Sequence, residues 1–222
     1  MARSKRYMDL QRAVTNLWKA LLPRKFDPTG TYRSVERVHL RTISFRILVH
    51  AEIESYIEDR AFELFDAGYK AWASDNIPNR VVLALLAYSG VMTRPPPGKL
   101  GGDPNSQKSY DHVGKPIQKA QAAWRAVHKD NHGIKESNIV ALLLPLGIAS
   151  EDIDTTLLAD LTSFGGSRGA VAHRSSIGVT TYADPKSEHD QALQVVAALE
   201  LVDELIAEAL DELRKIRKAV KP

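Results

Sequence analysis

Apolar residues recur along this chain at three- and four-residue intervals, the period of a helix laid against a core. Leu10, Val14, Leu17 and Leu21 form one such stripe, which predicts a first helix over Ser4–Leu22, stopped by Pro23. Phe26-Asp27-Pro28-Thr29-Gly30 reads as a turn. A long helix follows over Ser34–Ala73, with Gly68 as a point where it can break. Its expected core stripe is Leu40, Ile43, Ile47, His50, Glu54, Ile57, Ala61 and Phe65, so two polar residues stand one turn apart where apolar ones are due. Val81–Tyr88 reads as a short buried helix, and Ser109–Asn131 as another with Ile117, Ala120, Trp124 and Val127 inward. Ser137–Leu146 and Glu151–Phe164 are further helices. Leu193, Val196, Leu199, Val202, Leu205, Ile206, Leu210 and Leu213 make Lys186–Val220 an amphipathic last helix. No run alternates with the period of a strand. The expected fold is all-α: one helical bundle over residues 1–222, interrupted by a Pro/Gly-rich loop at about 93–106.

Composition narrows the classes. With 44% apolar and 26% charged residues over 222 positions, the chain can build one good core. It has no cysteine, which excludes disulfides, thiolate metal sites and a cysteine nucleophile. No apolar run approaches the roughly 20 residues of a membrane span, so a cytoplasmic protein with no membrane partner is expected.

The net charge of +3 is unevenly spread. Cations crowd the first fifty residues, and Ser187–Leu213 carries only acids. Either these are two solvated faces of opposite sign, or one basic face guides a polyanion.

Candidate chemistry centres on Gly165-Gly166-Ser167-Arg168-Gly169-Ala170-Val171-Ala172-His173-Arg174-Ser175. Arginine holds phosphate with a planar fork of donors, and histidine moves protons near neutral pH. RNA supplies its own nucleophile, the 2′-hydroxyl, so these two side chains suffice to cut it without a metal. Ser167 is expected to cap a helix starting at Arg168, aiming free N–H groups at a phosphate. Five helical positions turn about 500°, which sets Arg168 and His173 about 140° apart on an ideal helix. Arg174 and Ser175 add donors beside the histidine. His50 and Glu54 are either a pair satisfied inside the bundle or a pair that orients groups in the cleft. His128 and His132 stand four apart, but only Glu136 is near them in sequence and a closed zinc site needs four ligands, so neither a metal nor any other cofactor is assigned. Phosphate-loop, nucleophile-elbow and His-Glu-x-x-His signatures are absent.

An Arg-x4-His motif late in an all-α chain, followed by one long C-terminal helix, resembles the HEPN superfamily. The likeness is to the RiboL-PSP-type HEPN-like ribonucleases. It is carried by Leu48-Val49-His50-Ala51-Glu52-Ile53-Glu54-Ser55-Tyr56-Ile57-Glu58, by Asn131-His132-Gly133-Ile134-Lys135, by Pro145-Leu146-Gly147-Ile148 and by the motif itself, and it spans the chain from about Arg33 onward. The resemblance implies a metal-independent endoribonuclease acting as a homodimer with a composite active site. Arg168 would bind the scissile phosphate, and His173 would handle the proton. It also implies a toxin or antiviral-defence effector, with an antitoxin or defence-system protein as partner. Active members often carry Asn, Asp or His directly after the arginine. Here Gly169 stands there, and the alternative is a catalytically inactive module for dimerisation and RNA or partner binding.

Overall fold

A computed structural model describes residues 3–90, 114–172 and 183–220, with side chains omitted for 167–172. Seven α-helices account for the regular structure, and no strand occurs among the described residues. They are α1 (Lys5–Leu21), α2 (Val35–Asp75), α3 (Arg80–Tyr88), α4 (Gly114–Lys129), α5 (Glu136–Leu143), α6 (Thr155–Ala172) and α7 (Pro185–Val220). Short 3₁₀ turns at Leu144–Leu146 and Ser150–Asp152 link α5 to α6. The 93–106 loop lies outside the described residues.

Helix α2 is the axis of the fold. Its 41 residues extend about 60 Å at 1.5 Å per residue, and α1, α3, α5, α6 and α7 all pack on it. Gly68 does not break it. A Cβ at Gly68 would stand 2.5 Å from the Cβ of Val81, so the glycine is where α3 crosses close to α2. Asn79 fixes that crossing: its side chain donates to the carbonyl of Gly68 at 2.9 Å and caps α3 by accepting from the N–H of Val82. The helix ends at Asn76, held in the left-handed region at φ +54°.

The core is continuous across α1, α2, α6 and α7, with Tyr7, Phe45, Val49, Ile53, Tyr56, Phe65, Phe164, Val195 and Leu199 buried. Part of the expected stripe on α2 is displaced. Phe45, Val49, Ile53 and Tyr56 point inward, whereas Leu40 is 64% exposed and Ile43 and Ile47 are only half-buried. Val127 and Leu193 also face outward, each 43% exposed. Trp124 is buried as expected, and Ala192 beside Leu193 fills the interior.

Candidate functional site

The polar residues of α2 lie on a seam between that helix, α6 and the start of α7. His50 is 1% exposed, and its Nδ1 stands 3.4 Å from Oε2 of Glu54 one turn on. The imidazole lies nearly parallel to the ring of Phe164 in α6, 10° between planes and 6.5 Å between centroids. Gly165 makes this approach possible. A Cβ there would sit 3.3 Å from Cγ1 of Ile134 and 3.7 Å from Nε2 of His50. One turn before His50, Arg46 Nε donates to Oε2 of Glu188 in α7 at 2.6 Å, with a second bond from Nη2. Burial pushes the Glu188 carboxyl above the usual carboxylate range, and the guanidinium of Arg46 pulls against that. Two turns earlier still, Nδ1 of His39 accepts from the N–H of Ala183 at 3.0 Å. Glu54, His50, Arg46 and His39 thus form one line. The chain leaves α2 through α6 beside His50 and returns beside His39 and Arg46.

The motif begins inside α6 rather than at a new helix. Gly165, Gly166 and Ser167 are helical, and Arg168 lies in the same continuous helix, one turn beyond Phe164. The expected glycine break and the capping role of Ser167 are therefore corrected. A residue in a helix interior has its N–H engaged with the preceding turn, so no free N–H groups gather at Arg168 to cradle a phosphate. Buried Leu158, Leu161 and Phe164 carry the helix through the two glycines. His173, Arg174 and Ser175 lie outside the described residues. The structure brings together His50, Glu54 and the Phe164–Gly165 turn.

Sequence reading missed His39, Arg46 and Glu188, although Arg46 was legible as the residue one turn before His50. It also missed a buried polar hub further along α2, again facing α7. Asp203, 2% exposed, accepts from Ser4 Oγ at 2.6 Å, from the Ser4 N–H at 2.8 Å and from the Tyr56 hydroxyl at 3.0 Å. Nε of the buried Arg60 stands 2.9 Å from the same carboxylate. Burial, then the Asp203 carboxylate, pushes the Tyr56 hydroxyl far up from its ordinary value. This hub ties α1, α2 and α7 together.

His128 serves packing: it lies against Phe62 and Trp124, and its Nε2 is 3.2 Å from the carbonyl oxygen of Glu58. Among the described residues no group of three or more His, Asp or Glu is arranged to hold a metal ion, and no helix is long and apolar enough to cross a membrane. An open depression of about 480 Å³ between the Ser150–Asp152 turn and α7 is lined by Glu151, Asp152, Asp154, Glu204 and Glu208, a surface that repels polyanions.

The chain matches no protein-family model, no curated protein and no solved structure. Its functional reading rests on its own residues.

Proposed function

We propose that this protein is a HEPN-type endoribonuclease, a single helical domain with the Pro/Gly-rich segment as a loop insertion. It cuts RNA without a metal, and Arg168 and His173 carry the reaction. His173 takes the proton of the 2′-hydroxyl, or delivers one to the departing 5′-oxygen, and the 2′-oxygen forms its bond to phosphorus as the 5′-oxygen leaves. Arg168 offsets the charge that builds on the phosphorane. The products carry a 2′,3′-cyclic phosphate and a 5′-hydroxyl. Ser167, Arg174 and Ser175 add donors for the RNA backbone, and His50 and Glu54 hold the turn of α6 that precedes Arg168. Two copies complete one cleft, and the cytoplasmic role is that of a toxin or defence effector restrained by a partner protein.

The observation that supports this reading is the seating of α6, which bears Arg168, on buried His50, itself paired with the half-buried Glu54. A histidine–carboxylate pair is a costly thing to bury for packing alone. The test is incubation with total RNA and with tRNA, comparing wild type with His173→Ala and mapping product ends. EDTA-resistant cutting that leaves cyclic phosphates and disappears in His173→Ala supports the reading. Cutting that persists in a clean His173→Ala preparation overturns it.

Gly169 favours a second reading, a non-cleaving module that dimerises and binds RNA or a protein, because a glycine offers no side-chain donor beside the arginine. A dimer that binds RNA and cuts none of it would decide for that reading.

A further inference from the structure

The first fifty residues hold 11 of the chain's 30 Lys and Arg against three acids, and the structure sorts nine of the eleven into paired and unpaired. Arg3 forms a bidentate pair with Glu200, Arg6 pairs with Asp59, Arg12 with Asp9 and Arg46 with Glu188. The acidic α7 thus neutralises two of the four. Arg24, Lys25, Arg33, Arg37 and Arg41 are exposed and have no carboxylate partner among the described residues. Within residues 24–41 only Asp27 and Glu36 oppose these five cations, so this stretch carries a surplus equal to the whole chain's +3. The Asp27 carboxylate is already occupied by the N–H and hydroxyl of Thr29, which hold its pKa below the ordinary range.

Geometry arranges the five along one end of α2. Arg24 and Lys25 lie in the connector that leads to α2, Arg33 stands two positions before its first residue, and Arg37 and Arg41 lie one turn apart within it. A turn advances about 6 Å over four residues, a step that successive phosphates of one strand can follow. Ser34 sets no side-chain acceptor over the first-turn N–H groups, so the positive end of the α2 dipole adds to the same field. Ala183 donates to His39, which lies about 160° round the helix from Arg37 and Arg41, so the cations occupy the open side of this turn and the packed side is taken.

We propose that Arg24, Lys25, Arg33, Arg37 and Arg41 form a cationic track that holds the phosphates of a single RNA strand. This rests on the RNA-cutting reading above and names the surface that captures the substrate. Each phosphate neutralised on a single strand contributes about 0.7 to the slope of log affinity against log salt.

The experiment measures binding of a labelled single-stranded RNA to His173→Ala protein from 50 to 200 mM salt, and cleavage by otherwise wild-type protein separately. The tested set is Arg33→Gln with Arg37→Gln and Arg41→Gln. The control set is Lys119→Gln with Lys129→Gln and Lys215→Gln, three exposed lysines elsewhere. Thermal unfolding confirms that each protein remains folded, as expected for exposed positions. The arginine set should lower the salt slope by about 2, so that raising salt fourfold costs it about twentyfold less affinity than the parent loses. The lysine set should leave the slope near the parent value. Equal losses from both sets, no effect from the arginine set, or binding confined to an acidic protein with none to RNA would each overturn the track. A wild type that cuts RNA with an unchanged slope in the arginine set removes the track and leaves the nuclease. A lowered slope in a protein that never cuts RNA removes the nuclease and leaves the track.

Discussion

The imidazole of His50 and the ring of Phe164 lie almost parallel, 10° apart in plane with centroids 6.5 Å apart, and Gly165 brings the backbone of α6 up against both His50 and Ile134. The two glycines that follow Phe164 therefore have unequal jobs. Gly165 provides a close approach, while nothing stands within 4 Å of where a Cβ of Gly166 would be. Replacing Gly166 with alanine should stabilise the protein by about 0.5–1 kcal/mol, the helix-interior preference of alanine. Gly165→Val should cost about 1–3 kcal/mol through overpacking against Ile134 and His50. Urea unfolding of both variants measures the difference, and a loss of stability in Gly166→Ala would contradict a continuous α6.

Glu54→Gln keeps the shape of the side chain and removes its charge beside His50 Nδ1. If the pair holds the α6 turn in register for catalysis, kcat for RNA cleavage should fall about tenfold with KM nearly unchanged. A change in KM alone would assign Glu54 to binding instead. Single-turnover kinetics with saturating protein distinguishes the two.

Arg46→Met should destabilise in a pH-dependent way. Burial already raises the Glu188 carboxyl, and removing Arg46 raises it further. A group whose folded pKa lies above its unfolded one contributes stability that is complete below the unfolded pKa and is lost as pH climbs through the folded one. The gap between variant and wild type should therefore be small near pH 4 and widen toward pH 7. Chemical unfolding at several pH values reads the trend, and a gap that narrows with rising pH would contradict the arrangement.

The Asp203 hub should be the costliest polar site to cut. Asp203→Ala leaves buried Arg60 with only the half-exposed carboxylate of Glu63 and strips Ser4 and Tyr56 of their acceptor, a loss of about 3 kcal/mol. Tyr56→Phe removes one hydrogen bond and should cost about 1 kcal/mol. Denaturant midpoints for the two variants give the comparison, and equal losses would mean that the ion pair adds nothing beyond the hydroxyl.

These sites differ in how much of them a sequence can disclose. The stripe of α7 was legible because solvent bathes one of its sides and the contrast between apolar and polar positions survives. Helix α2 has neighbours around most of its girth, so Leu40–Ile43–Ile47 and Phe45–Val49–Ile53 are equally apolar and periodicity cannot choose between them. Gly165-Gly166 read as a break because glycine is a poor helix former, yet the burial of Leu161 and Phe164 and the closeness of Ile134 outweigh that preference. Asp203 was invisible for another reason. Its partners Tyr56 and Ser4 lie 147 and 199 positions away, and no local pattern encodes such a pairing. His50 and Glu54 stood out as polar residues on an apolar stripe, but their setting depends on α6, more than a hundred residues downstream.

That long reach has a consequence during synthesis. Ser4 caps α1 by accepting from the N–H of Tyr7, and the same hydroxyl donates to Asp203. Helix α1 thus waits for α7 to be made before its seal is complete. A nascent chain paused short of residue 203 holds Tyr56 and Arg60 without their acceptor. Closure of the bundle is a late, high-contact-order event, slower than the helix content alone would suggest.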